Sequence, residues 1–118
     1  MNSELFVSVI RKVVRNSAIK GVIHKLKKPS GRNVPDSVKQ RSNWFNSLSD
    51  EERNNIEKII INSVDETLFG FLCVIDGVRT IEDNEKKGVL KLVYKNKEEL
   101  LLNDPDKKFL HDLYKEDN

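Results

Sequence analysis

Ser49 to Gly77, SDEERNNIEKIIINSVDETLFGFLCVIDG, is the stretch whose reading decides the fold. Its first four residues, Ser49-Asp50-Glu51-Glu52, form a capping box. The serine oxygen can accept from the Glu52 backbone N–H while the Glu52 carboxylate reaches back to the Ser49 N–H. Three acids in one turn also suit the positive end of a helix dipole. Apolar residues then recur at Ile56, Ile60, Val64, Leu68, Leu72 and Ile75, and from Leu68 onward they surround the axis. Read as one helix ending at Asp76-Gly77, the stretch has about 26 residues and a length of roughly 39 Å, which matches the diameter of a compact domain of this size. It is therefore expected to be the central helix, with Ile56, Ile60, Val64, Leu68, Phe71, Leu72 and Ile75 buried. A rival reading makes Phe71 to Ile75 a strand that pairs with Val78 to Ile81 through an Asp76-Gly77 hairpin turn. That second arm is short and polar, which favours the helix.

N-terminal to this stretch, Val38, Arg41, Phe45 and Leu48 mark a short helix with Asp36 or Ser37 as its cap, preceded by a loop holding Pro29, Gly31, Asn33 and Pro35. Residues 4–28 are good helix formers apart from Gly21. Phe6, Ile10, Val13 and Val14 make one apolar stripe and Ile19, Val22, Ile23 and Leu26 another. At about 100° per residue the two lie on opposite sides. The helix is therefore either covered on two sides or broken between Asn16 and Gly21, and one long, deeply packed helix is the preferred reading.

C-terminal to it, Val89 to Tyr94 alternates, with Leu90, Leu92 and Tyr94 as the expected core face. Lys95-Asn96-Lys97-Glu98 turns the chain into a returning strand over Glu99 to Leu102, which makes a β-hairpin. Asp104-Pro105 then reads as the start of a short terminal helix docked by Phe109, Leu110 and Leu113. The fold class is α+β and mainly helical: a long central helix, an N-terminal helix, a C-terminal hairpin and a short last helix.

The chain has 118 residues, 37% hydrophobic and 34% charged, with a mean hydropathy of -0.56. These values fit a single domain over 1–118 with enough Leu, Ile, Val and Phe for a core. No apolar run approaches the roughly 20 residues of a membrane span. Met1 to Ile10 carries Glu4 and no basic residue, so no signal peptide is expected and the cytoplasm is the default compartment. One cysteine, Cys73, excludes an internal disulfide and reads as a small core residue. Charge is uneven: residues 1–41 hold ten Lys or Arg against two acids, net +8, and residues 42–118 hold 11 against 17, net -6.

Catalytic patterns are absent. His24 and His111 are the only histidines, without HxxxH, HExxH or CxxC spacing. Asp112 follows His111 directly, and adjacent helical side chains point about 100° apart. Gly70, Gly77 and Gly88 are isolated, so no phosphate cradle forms, and Glu82, Asp83 and Glu85 lack the EF-hand pattern. No catalytic residue, metal or cofactor is expected. The densest basic run, Lys25-Leu26-Lys27-Lys28-Pro29-Ser30-Gly31-Arg32, offers Lys25, Lys27, Lys28 and Arg32 as candidate phosphate ligands. It has no interleaved aromatic to stack a base, and lysines also suit a helix C-terminus.

Gly70 to Arg79 and Leu101 to Tyr114 resemble segments of small uncharacterised bacterial proteins, about a fifth of the chain, and that resemblance brings no activity with it. Size, charge and the helical-plus-hairpin plan are loosely similar to immunity proteins that neutralise bacterial toxins, with no motif and no residue carried over. The expected function is a noncatalytic protein-binding module of immunity or regulatory type. Trp44 and Tyr114 are its candidate anchors if exposed, with the core as the alternative place for both, and an acidic face after residue 41 would suit basic partners. The partner is another protein, or a second copy in a homo-oligomer, and no membrane. The alternative is a nucleic-acid-binding protein using the basic N-terminal segment.

Overall fold

Ser49 starts the longest element as its capping box requires. Its Oγ accepts from the Glu52 N–H at 3.2 Å and its own N–H donates to Glu52 Oε1 at 3.0 Å. The computed structural model describes residues 1–83, 85 and 87–116. The elements in chain order are α1 (Ser3–Ile10), a π-helical turn (Arg11–Arg15), α2 (Asn16–Lys27), α3 (Asp36–Ser47), α4 (Asp50–Ile75), β1 (Val93–Lys95), β2 (Glu99–Leu101) and α5 (Leu110–Glu116). The architecture is α+β and mainly helical, with a long α4, N-terminal helices, an antiparallel hairpin and a short last helix. No helix among the described residues is long and apolar enough to cross a membrane. The loop expected over 81–88 includes Asn84 and Lys86, which lie outside the described residues.

The Asp76-Gly77 pair closes a helix, and the hairpin alternative is excluded. Gly77 has φ +79°, its N–H donates to the Val74 carbonyl at 3.1 Å, and the Val78 N–H donates to the Cys73 carbonyl at 3.0 Å. These two bonds are the Schellman ending, which uses the same left-handed glycine that a hairpin turn would use.

Contacts divide the chain into two compact units, Met1–Val14 with Glu66–Asn118, and Arg15–Asp65. In the first, Val7, Leu72, Leu110, Leu113 and Tyr114 form the buried cluster, with Phe6, Leu68, Phe69, Ile75 and Leu92 packed against it. Ser3 Oγ donates to the Leu102 carbonyl at 2.8 Å, tying the start of α1 to the end of the hairpin. The Arg11 guanidinium lies 4.3 Å from the centre of the Tyr114 ring and donates to the Tyr114 carbonyl. In the second unit Phe45 and Ser42 of α3 are buried. There Arg15 meets Asp65 through Nε–Oδ1 at 2.6 Å and Nη2–Oδ2 at 3.2 Å.

Several expectations are corrected. The N-terminal helix is not a regular α-helix throughout: a π-helical turn over Arg11–Arg15 separates α1 from α2. Nor is it deeply packed: only Ser3 and Val7 are buried in α1, and nothing in the π turn or α2. In α4, Leu72 is buried and Ile56, Ile60, Val64, Leu68 and Ile75 are half-buried, while Phe71 is 61% exposed. Phe71 stands a residue's turn, about 100°, from Leu72, on the side the core does not reach. Pro35, not Asp36 or Ser37, caps α3, its carbonyl accepting from Val38 and Lys39. Asp104-Pro105 begins a turn closed by Asp104 Oδ1 on the Asp106 N–H at 2.9 Å, so the last helix starts later, at Leu110. Leu92 packs on the core, but Leu90 and Tyr94 stay exposed. The paired strands have three residues each; beyond them the Leu102 N–H still donates to the Leu92 carbonyl at 2.8 Å, and the Asn103 side chain bonds the Leu92 N–H and the Leu90 carbonyl.

The hydrogen bond from the Ser49 backbone, then that involving its hydroxyl, holds the Glu52 carboxyl below its ordinary value. A carboxyl depressed in the folded state stabilises above its unfolded pKa, and that contribution disappears as pH falls through the folded one. Urea unfolding of Glu52→Gln is therefore expected to lose less stability than the parent between about pH 5 and about pH 3. Ser49→Ala is expected to cost about 1 kcal/mol at neutral pH. Equal acid sensitivity of parent and Glu52→Gln would show that the capping box does not govern the start of α4.

Candidate functional site

The chemistry-bearing residues gather where α4 ends and α5 begins, in the first unit. Asp76 follows the last residue of α4, and its side chain is completely enclosed. Its Oδ2 accepts from the backbone N–H of His111 at 2.9 Å and lies 2.6 Å from His111 Nδ1. The His111 N–H belongs to the first turn of α5, whose donors have no partner within the helix. Asp76 thus serves α5 as an N-cap supplied from 35 residues away, and its charge faces the positive end of that helix. The ring nitrogen and the carboxylate are within hydrogen-bonding distance, and which of them carries the proton follows the imidazole tautomer. The imidazole stacks on Phe109 with centroids 5.4 Å apart and meets Phe69 edge-on at 5.7 Å. Asp76 Oδ1 is buried and has no hydrogen-bond partner among the described residues.

On its other side His111 Nε2 lies 3.4 Å from the exposed carboxylate of Asp112. The helical offset therefore does not keep these neighbours apart. Cys73, one turn before Asp76, is buried and free. Burial pushes its thiol up; Arg79 acts the other way, and Asp76 and Asp112 add to the rise. Arg79 lies along α4 at Gly70, where a Cβ would stand 2.5 Å from its Nη1.

An imidazole oriented by a buried carboxylate is half of a proton-transfer device; the other half is an activated nucleophile. Cys73 has the opposite environment, since an activated thiol needs its thiolate stabilised and accessible. No group of three His, Cys, Asp or Glu suited to a metal ion occurs among the described residues. The arrangement works as a clamp between two helix ends.

Asn103, 9% exposed, performs the matching task for the hairpin. Its Oδ1 accepts from the Leu92 N–H, and its Nδ2 donates to the carbonyls of Ile75 and Leu90, each at 2.8 Å. Asp76 and Asn103 were not singled out from the sequence as site residues. Asp76 carried a turn signal only, and nothing local links position 76 with 111 or 103 with 75.

The candidate anchors separate. Trp44 on α3 is 53% exposed, whereas Tyr114 is 1% exposed and part of the core cluster. Tyr114 is thereby corrected from anchor to core residue: its ring is enclosed beside Arg11 and offers no surface to a partner. Of the basic run, Lys25, Lys28 and Arg32 are exposed, and Lys27 Nζ pairs with Glu57 Oε1 at 3.1 Å. Asn46 Nδ2 donates to the Lys27 carbonyl at 2.9 Å, which brings the Trp44 end of α3 to the basic end of α2. Arg53 Nη1 donates to the carbonyls of Asn46 at 3.2 Å and Leu48 at 2.8 Å, and its Nη2 pairs with Asp50. The acidic first turn of α4 is thereby held at the same place. His24 is exposed on α2. The chain matches no protein-family model, no curated protein and no solved structure.

His111→Phe keeps an aromatic ring against Phe109 but leaves the enclosed Asp76 carboxylate without its ring partner. The expected cost in urea unfolding is about 3–5 kcal/mol. Asp76→Asn removes the charge with little change of shape and is expected to cost less, about 1–2 kcal/mol. If the two substitutions cost the same, the pair is not a charged clamp. Cys73 is expected to resist a thiol reagent at pH 8 in the native protein and to react at once in urea; rapid native labelling would contradict the enclosed, protonated thiol.

Proposed function

We propose that this chain is a noncatalytic protein-binding module, of regulatory or immunity type, with Trp44 as its anchor. The observation that carries the reading is the contrast within α3: Phe45 is 0% exposed and Trp44, next to it, is 53% exposed. A half-exposed indole offers a large amphipathic surface to a partner, and tryptophan is prominent among the few residues that dominate binding energy. The second unit carries both signs of charge on its surface: Lys28 and the Lys27–Glu57 pair at the end of α2, which Asn46 joins to α3, and Asp50, Glu51 and Glu52 in the first turn of α4. A surface of mixed sign suits a protein partner with a complementary pattern.

A second reading, nucleic-acid binding, draws support from the charge of the second unit. Residues 15–65 hold ten Lys or Arg and six acids, net +4. Among the described residues Lys20, Lys25, Lys28, Arg32, Lys39 and Arg41 make no ion pair. Three carboxylates at the end where Trp44 stands would repel a phosphate backbone, and Lys27 is already engaged by Glu57. Protein binding is therefore preferred.

The test uses Trp44 as its own reporter, because the chain has one tryptophan. A protein captured from the source cell, once purified and titrated against this chain, is expected to shift Trp44 emission to the blue. Trp44→Ala is expected to weaken binding by about thirtyfold or more and to change stability by less than about 0.5 kcal/mol. Tight binding of an oligonucleotide in a gel shift, steeply weakened by salt and lost on Lys25→Gln, Lys28→Gln, Arg32→Gln, would replace this reading with the second.

A further inference from the structure

The first unit contains a cavity of about 470 Å³ bordered by the end of α4, residues 79–82 and 87–91, and Leu101 of β2. That volume lies within the roughly 300–1,000 Å³ of small-molecule clefts. Val74, Ile75, Ile81, Val89, Leu90 and Leu101 supply apolar wall. Three of these stay unusually open for such residues: Val89 is 82% exposed, Ile81 64% and Leu90 44%. Asp76 and Asn103 also border the space, but neither offers it a free polar group. The Asp76 side chain is wholly enclosed, and the Asn103 amide is used up on Leu92, Leu90 and Ile75.

Cations outnumber carboxylates among the bordering residues: Arg79, Lys87 and Lys91 against Glu82 and the enclosed Asp76. Arg79, Lys87 and Lys91 border the cavity, all exposed, and none makes an ion pair among the described residues. The rim carboxylate of Glu82 is turned onto the Gly88 N–H at 3.4 Å. An apolar wall with surplus cations at its edge complements a molecule that is apolar along its body and anionic at one end.

We propose that this cavity binds an amphipathic anion, a carboxylate or phosphate head on an aliphatic chain, with the head at Arg79, Lys87 and Lys91 and the chain against Ile75, Ile81 and Leu90. The site lies in the unit that does not carry Trp44, so it goes beyond the protein-binding reading and stands or falls separately from it. Free carboxylate and lipid headgroup are the two sources of such a ligand.

The experiment titrates the full chain with decanoate by calorimetry, beside the uncharged decanol, and sediments the chain with vesicles of phosphatidylglycerol or of phosphatidylcholine. Saturable one-to-one binding of decanoate is expected, tighter than that of decanol by about tenfold and weakened by about tenfold in Lys87→Gln, Lys91→Gln, as two exposed ion pairs would give. Because both lysines are exposed, that variant should keep the parent's urea midpoint; Leu90→Asp is expected to abolish binding. Sedimentation with phosphatidylglycerol vesicles alone, lost in the lysine variant, assigns the head to a lipid and supports the site. Equal binding of decanoate and decanol, no saturation together with no vesicle binding, or binding unchanged in the variants overturns it.

Discussion

The enclosed carboxylate of Asp76 is the constraint on which the first unit depends. Standing just after α4, it caps α5 and holds the His111 ring between Phe109 and Phe69. A helix of seven residues such as α5 is far below the length that persists alone in water. A hairpin of two three-residue strands is no better placed. Each persists because a polar side chain fastens it to the end of α4: Asp76 for α5, and Asn103, through the Ile75 carbonyl, for the hairpin. Such bonds are worth more in an apolar surround than in water, and losing one partner is correspondingly expensive. Apolar burial by Val7, Leu72, Leu110, Leu113 and Tyr114 supplies the attraction; the polar staples select the arrangement.

In the second unit the same role falls to side chains that collect backbone carbonyls. Arg53 reaches back to Asn46 and Leu48, fixing the turn between α3 and α4, and Asn46 in turn holds the last carbonyl of α2. Helix C-termini leave such carbonyls unpaired, so guanidinium and amide donors find them readily. Charges of both signs from α2 and α4 thereby meet at the C-terminal end of α3, although they are widely separated in the chain.

Burial sorts the functional groups. His111 and Cys73, the side chains with the most varied chemistry, are enclosed and tied to the fold. Trp44 and most of the lysines remain outside, where they can meet a partner but activate nothing by themselves.

Features determined by hydrogen bonds or periodicity within a few residues were legible in the sequence: the capping box at Ser49, the length of α4, the helix from Asp36 and the turn between the strands. The two-way reading of Asp76-Gly77 shows where legibility stops, because a left-handed glycine serves a Schellman ending and a hairpin turn equally well. Only the Val78 bond back to Cys73 distinguishes them. The sequence alone likewise marked Trp44 and Tyr114 as equals, and tertiary packing enclosed one and exposed the other. Asp76 with His111, Asn103 with Ile75, and Asn46 with Lys27 were decided by the tertiary structure. A carboxylate or an amide can satisfy any donor or acceptor brought to it, so its type states what it can bond to, and only the packing of helices and hairpin decides which group arrives.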